Sequence, residues 1–261
     1  MPTLRGKTAL VTGASSGIGR STALALAEQG ADLIVVARRV DALEELARII
    51  ATRGSSKVVT AGLDVRDRNA VGGFVRDLIA NQSRVDILVN NAGLSRGLSP
   101  LQEGDVDDWE EMIDTNVKGL LYVTRSIVPL MIEQGNGHVL NIGSVAGREV
   151  YANGNVYCAT KYAVRALTEG LRIDLHGTPV RVSTIDPGLV ETEFSVVRFH
   201  GDQERADAIY QDTRPLRPED VADAVVYAAT RPPHVNVAEL VLLASDQATA
   251  TTIDRSSPGD R

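Results

Sequence analysis

Cysteine is almost absent from this chain: Cys158 is the only one in 261 residues. No intramolecular disulfide can form, so a reducing compartment, with the cytoplasm as the default location, is the expected setting. No stretch approaches ~18 consecutive apolar residues, so no membrane span is predicted. The first apolar run follows Lys7, is broken early by Gly13, and reads as a buried strand rather than a signal peptide. Basic clusters are also missing. Lys and Arg total 27 against 34 Asp and Glu, giving a net charge of −7 and an isoelectric point near 5.2. Such a surface repels phosphate backbones, and neither nucleic acid nor a membrane is an expected partner. No internal repeat, low-complexity segment or metal-binding set is read from the sequence. One basic pair stands out, Arg38-Arg39.

Hydrophobic residues make up 43% and charged residues 23%, a globular balance in a chain long enough to bury a core without staples. Short β-branched runs alternate with longer amphipathic ones. Strands are predicted at residues 8–11, 33–36, 57–61, 87–89, 138–142, 181–185 and 239–243. Helices are predicted at 17–29, 41–52 (with Asp41 as N-cap), 67–80, 106–133, 155–176 and 218–230. Continuous apolar strands belong to a sheet covered on both faces, and strict alternation points to right-handed parallel crossovers. The predicted fold is α/β, one doubly wound domain of about seven parallel strands over residues 1–253. Ligands are expected at the carboxyl ends of the strands. Residues 188–217 show no clear periodicity after a strand end and read as a substrate lid. Residues 254–261 have the composition of a flexible tail.

Residues 12–19 read Thr-Gly-Ala-Ser-Ser-Gly-Ile-Gly between the first strand and the first helix. Gly13 permits a sharp turn, Gly17 leaves bare backbone beside a pyrophosphate, and Gly19 lets the helix pack on the strand. Ser15, Ser16 and Ile18 complete the loop. The helix N-terminus offers free N–H groups and partial positive charge. A flexible strand-helix connection alone could look similar, but the position after the first strand favours phosphate binding. Strands that select NAD end in a carboxylate for the ribose 2′-hydroxyl; here the second ends in Arg38-Arg39, which suits a 2′-phosphate. NADP(H) is therefore the expected cofactor. Asp64 and Val65 follow the third strand, where a carboxylate can accept the adenine amino group; a turn aspartate is the other reading. Asn90, Ala92 and Gly93 end the fourth strand with the small residues that close passage of a cofactor requires.

Tyr157 and Lys161 are four apart on a predicted helix and share a face. Ser144 lies just beyond the fifth strand, joined to that helix by a short connection. Reducing a carbonyl delivers a hydride to carbon and needs a proton for oxygen. A tyrosine can supply it, but the ordinary phenol pKa is ~10, and a neighbouring ammonium and the positive nicotinamide ring are both expected to lower it. Ser144 can hold the substrate oxygen. A Tyr-Lys pair is common on helix surfaces; its register with Ser144 behind a phosphate loop is what marks this one. Cys158 reads as a buried helix cysteine.

Together these residues resemble the short-chain dehydrogenase/reductase family: Thr12-Gly13-x-x-x-Gly17-Ile18-Gly19, Asn90-Asn91-Ala92-Gly93, Asn116, Ser144, Tyr157-x-x-x-Lys161 and Asp186-Pro187-Gly188, in order over residues 5–245. The resemblance implies a catalytic set of Asn116, Ser144, Tyr157 and Lys161. Asn116 would kink its helix and help hold a relay water. Lys161 would also bind the nicotinamide ribose, and Pro187, Gly188, Val190 and Thr192 would contact the nicotinamide end. It further implies a homotetramer built partly through the two long helices. The segments around Trp109, Glu191-Thr192-Glu193-Phe194 and Arg217-Pro218-Glu219-Asp220 are similar to NADP-dependent 3-hydroxy acid dehydrogenases. Those enzymes act on small acids of the serine, L-allo-threonine and 3-hydroxyisobutyrate type. Relatives often carry a basic residue at the position of Ser16, so Arg38 and Arg39 would have to carry the 2′-phosphate alone.

A small acid needs a cation, and Arg148 and Arg198 are the candidates. Two other functions stay open at this point. One is a reductase of another small aldehyde or ketone. The other is an NADP-binding regulator without chemistry, against which the presence of both Tyr157 and Lys161 argues.

Overall fold

The computed structural model describes residues 4–255. Among them, seven strands form one parallel sheet: β1 (Thr8–Thr12), β2 (Asp32–Ala37), β3 (Val58–Gly62), β4 (Ile87–Asn90), β5 (Gly137–Ile142), β6 (Val180–Pro187) and β7 (Glu239–Leu242). Their spatial order is β3-β2-β1-β4-β5-β6-β7, every pair parallel, as the alternating sequence predicts. Helices α1 (Gly17–Glu28), α2 (Val40–Arg53), α3 (Arg68–Ala80), α4 (Val106–Ile113), α5 (Leu120–Glu133), α6 (Asn155–Asp174) and α9 (Pro218–Ala229) cover the two faces. No helix among the described residues is long and apolar enough to cross a membrane.

Side chains alternate across each strand, so one strand feeds two cores. In β1, Ala9 and Val11 pack with Leu33 and Val35 of β2 under α1, α2 and α9, meeting Ala23, Leu26, Leu43, Val221 and Val225. Leu10, Ile34, Leu88, Val139 and Val182 point the other way and pack on Val71 and Val75 of α3 and on Ile127 and Met131 of α5. Leu10, Leu26, Leu88, Ile127 and Leu140 are fully buried. Each contributes about 1.5–3 kcal/mol by leaving water.

The helix ends follow local chemistry. The Asp67 carboxylate accepts from the backbone N–H groups of Asn69 and Ala70 and starts α3. Pro218 occupies the first turn of α9, where its missing N–H costs nothing. Helix α2 begins one residue before the expected start, and Arg39 rather than Asp41 is its N-cap. The stretch 106–133, read from the sequence as one helix, is interrupted by a π turn at Asp114–Gly119. Residues 188–217 are more ordered than their lack of periodicity implied. They hold α7 (Phe194–Arg198) and α8 (Gln203–Tyr210), too short to show a period.

Between β1 and β4 the connections leave for opposite faces, which opens a crevice at the carboxyl edge of the sheet. Residues 244–255 run across this edge. The Gln247 Oε1 accepts from the Leu189 N–H, and the Arg255 guanidinium donates to the carbonyls of Ile209 and Gln211 at the end of α8. Asp254 and Arg255, expected to belong to a flexible tail, thus lie within this ordered segment; residues 256–261 of that predicted tail lie outside the described residues.

Candidate active site

The crevice is a cleft of about 700 Å³ that runs from Arg38 and Arg39 at one end to Ser144, Tyr157 and Lys161 at the other. Its floor is built for close backbone approach. Gly13 turns at φ +65, and a Cβ there would stand 2.9 Å from the Ala92 Cα. Gly17, at φ +50, opens α1 against Thr192. The N-cap residue Ser16 makes no side-chain capping bond, so the first N–H groups of α1 have no side-chain cap. Such a cradle fits a pyrophosphate. Ser15, Ser16, Ile18, Val65, Gly93, Pro187, Gly188, Val190 and Thr192 also line the cleft.

Two residues grouped with the cofactor contacts serve packing, Gly19 as its reading implied and Asn90 where close passage of a cofactor was expected. Gly19 is absent from the cleft wall: a Cβ there would lie 2.4 Å from both the Asn91 Nδ2 and the Gly13 carbonyl oxygen, so glycine is needed to seat α1 on the strand ends. The Asn90 amide is buried and donates to Thr124 and Asn141, tying β4 to α5 and β5; its neighbour Asn91 lines the cleft.

At the far end the cations are interlaced with carboxylates. The Arg39 Nη2 lies 2.9 Å from the Glu193 Oε2, and its Nε donates to the Ser15 Oγ at 3.3 Å. Arg38 pairs with Glu111 at 3.7 Å. Asp64 is held by Arg66, whose Nε and Nη2 both reach its carboxylate. The Arg66 hydrogen bond, acting first, holds the Asp64 carboxyl below its ordinary range. Asp64 lines the cleft as expected, but as half of an ion pair. Arg66, which the sequence reading passed over, adds a cation to that wall; its spacing two residues after Asp64 was the available signal.

At the reaction end, Tyr157 and Lys161 are both 8% exposed. The Lys161 Nζ donates to the Ile142 carbonyl at 2.9 Å and sits 5.9 Å from the centroid of the Tyr157 ring. The Ser144 hydroxyl accepts from the Ala146 N–H and lines the cleft beside Tyr157, favouring ionisation of its phenol. Burial pushes the phenol above its ordinary value, reinforced by Tyr151 and opposed by the Arg198 charge and by Ser144. The sequence reading expected Lys161 to make this phenol acidic. In the structure burial outweighs every opposing charge, and the cation that opposes it is Arg198. Burial also lowers Lys161 to about 8, against an opposing pull from Asp186.

Asn116 lies in the π turn, 2% exposed, and does not line the cleft. Its Nδ2 donates to the Leu94 carbonyl and the Thr160 hydroxyl, and its Oδ1 accepts from the Leu94 N–H. It clamps the loop after β4 onto α6. Cys158 is fully buried.

The two arginines considered for a substrate anion separate cleanly. The Arg148 guanidinium is consumed by Asp186 and Glu239 and does not reach the cleft, so it is not a substrate contact. Arg198, on α7, lines the cleft. Its Nε donates to Ser95 and its Nη2 to the Tyr151 phenol, while its guanidinium carbon lies 5.3 Å from the Tyr157 ring centroid and 5.0 Å from that of Phe194. Tyr151 was not identified from sequence because it carries no motif, and Phe194 was read only as part of a matching segment, with no role in the site.

Residues 7–203 match the family described as short chain dehydrogenase. The chain is 43% identical over 256 residues to an NADP-dependent 3-hydroxy acid dehydrogenase of Schizosaccharomyces pombe, covering 98% of this chain and 99% of that one. It is 48% identical over 248 residues to sulfoacetaldehyde reductase 2 of Chromohalobacter salexigens, covering 94% and 98%. A solved structure, the closed form of serine dehydrogenase complexed with NADP+, superposes with a TM-score of 0.89 at 47% identity, covering 93% of this chain and 97% of that one. On these matches, the chain belongs to the short-chain dehydrogenase family of oxidoreductases.

Proposed function

We propose that this enzyme interconverts a small 3-hydroxy acid and its 3-oxo form with NADP(H), with Tyr157 as the general acid and base and residues 188–217 as the substrate lid. One observation carries the substrate class. Arg198 is fixed over the Tyr157 ring by Ser95 and Tyr151, and its Nη1 has no protein acceptor among the described residues. A carboxylate on that nitrogen would place a hydroxyl a few bonds away beside the Ser144–Tyr157 pair.

The cofactor reading rests on the cradle at Gly13 and Gly17 and on Arg38 and Arg39 at the end of β2, where NAD-selective sites carry an acid, with Ser15 of the loop after β1 bonded to Arg39. When bound, NADP(H) supplies or accepts the hydride. Tyr157 gives a proton to the carbonyl oxygen in reduction and takes it back in oxidation. Ser144 holds that oxygen through its hydroxyl, and Lys161 holds the ribose side of the cleft. Asn116 keeps the Leu94 loop and α6 in register.

A sulfonate-bearing aldehyde is the second reading. The 48% identical sulfoacetaldehyde reductase favours it, and the same guanidinium fork accepts either anion. Absorbance at 340 nm decides between them. The full chain with L-serine, L-allo-threonine or 3-hydroxyisobutyrate is expected to reduce NADP+ to NADPH faster than NAD+ to NADH. Turnover of sulfoacetaldehyde with NADPH, without turnover of any hydroxy acid, would replace the first reading by the second. Turnover of neither anion removes both.

A further inference from the structure

In the corner of the cleft at Arg38 and Arg39, cations and acids alternate, and the acids are not held alike. Glu111 is shared among the guanidiniums of Arg38, Arg66 and Arg96. Asp64 is gripped by the Nε and Nη2 of Arg66. Glu193 has one partner among the described residues, Arg39, whose Nη2 donates to its Oε2 at 2.9 Å.

Glu193 reaches this corner from the other side of the cleft, on the segment after β6. Its neighbour Thr192 lies over the phosphate cradle: a Cβ built on Gly17 would stand 3.3 Å from the Thr192 Cγ2. The Thr192 hydroxyl accepts from the Phe194 N–H and fixes the turn between them. The segment thus brings Glu193 to Arg39, while Ser15, in the loop after β1, accepts from the Nε of the same guanidinium. Arg39, Ser15 and Glu193 all line the cleft.

We propose that Glu193 is a specificity-determining residue for the cofactor, a rival anion that competes with the ribose 2′-phosphate for Arg39 and so narrows the preference for NADP(H) over NAD(H). The proposal rests on the reading of Arg39 as a 2′-phosphate cation. The Nε and Nη2 of a guanidinium form one edge of its fork, the edge a phosphate pairs with bidentately. Ser15 and Glu193 take that edge of Arg39, so a phosphate gripped there must displace the carboxylate. A phosphate monoester carries about −1.5 to −2 charges at neutral pH and outbids a single negative charge. The side chains of Arg39 and Glu193 are 54% and 58% exposed, so their pair is weak enough to yield. A ribose 2′-hydroxyl brings no charge and leaves the pair intact.

NADPH and NADH differ only in the 2′-phosphate. Fluorescence of the bound nicotinamide gives Kd for each, whether or not any substrate is turned over. Glu193→Gln is expected to tighten NADPH about 5-fold and to leave NADH within about twofold. Glu191→Gln removes the same charge from an exposed neighbour outside the cleft wall and should change neither. In an Arg39→Ala background the gain from Glu193→Gln should disappear. NADPH binding that is unchanged or weakened in Glu193→Gln overturns the proposal. So does equal tightening of both cofactors, an equal gain from Glu191→Gln, or a gain that survives without Arg39. If Arg39→Ala by itself leaves NADPH binding unchanged, the 2′-phosphate reading fails and this proposal with it. Weakening by Arg39→Ala without a gain from Glu193→Gln strikes this proposal alone.

Discussion

The guanidinium carbon of Arg198 lies 5.3 Å from the centroid of the Tyr157 ring, so a cation from the segment after β6 rests on the phenol of α6. Both residues belong to the same small chamber, with Tyr151 and Phe194 around them. Under the proposed function this contact has two effects. It anchors a substrate anion, and it opposes the burial that keeps the phenol protonated. Replacing Arg198 with Met should raise KM for a 3-hydroxy acid on the order of 10–100-fold, the worth of a charge-assisted hydrogen bond. KM for an uncharged alcohol of the same length should stay put. Steady-state kinetics on both substrates check this, and equal losses on both would show that Arg198 only supports the fold.

Tyr157→Phe removes the proton and keeps the ring packed against Phe194. Loss of a positioned acid–base group costs about 10²–10⁴-fold in rate. Expected is a drop of that size in kcat, with NADPH affinity, read by fluorescence titration, within a few-fold of the parent.

The two directions should differ in their pH dependence. Burial lifts the phenol above its ordinary value, so the neutral form, which donates a proton in reduction, persists through neutral pH. Oxidation needs the phenolate and should accelerate as pH rises into the alkaline range. Arg198→Met removes a charge that favours phenolate, so it should move the rise in oxidation rate to higher pH. Initial rates in each direction from pH 6 to pH 10 test the sign; a shift to lower pH in the variant would contradict the electrostatic role.

Cofactor choice should lie with the cations after β2. Arg39→Ala loses contacts that Ser15 and Glu193 now hold in place. KM for NADP+ is expected to rise about 10-fold, consistent with ~1.4 kcal/mol, while KM for NAD+ changes little. Parallel rises in both would place Arg39 outside phosphate recognition.

His138 offers a test of stability remote from the cleft. It is 2% exposed on β5, its Nε2 pairs with the Ser183 Oγ at 2.8 Å, and burial depresses its pKa to about 3. The folded form excludes the proton that the unfolded chain binds below ~6.5. Its neutral form therefore stabilises the fold fully above that value, and stability is lost as pH falls toward 3, at ~1.4 kcal/mol per pH unit. His138→Gln should flatten the acid side of a plot of urea-unfolding free energy against pH. An unaltered slope would mean other groups govern acid unfolding.

Much of this architecture is written in local patterns. The apolar runs of β1, β2 and β4 announce a two-faced parallel sheet, and the glycines at 13 and 17 mark where backbone must come close. What escaped depends on partners distant in sequence. Arg148 looked available four residues after Ser144, yet Asp186 and Glu239, from two other strands, claim it. Asn90 and Asn91 are adjacent and chemically identical, yet one amide donates to Thr124 and the other to the Thr12 and Gly13 carbonyls beneath the cradle. The π turn at Asp114–Gly119 was signalled only by the resemblance, which implied a kink at Asn116; apolar periodicity alone ran through it as one helix. The upward push of burial on the Tyr157 phenol was not legible, because a helical neighbour can be read from spacing, whereas burial is a property of the whole fold.

The Arg255 guanidinium fastened to the final carbonyls of α8 has a mechanical consequence. If α8 swings outward to admit a molecule, it must either drag residues 244–255 along or unclasp from them. The Gln247–Leu189 and Arg214–Asp246 bonds fasten the same two stretches, so under the proposed lid role any such motion would have to loosen several bonds together.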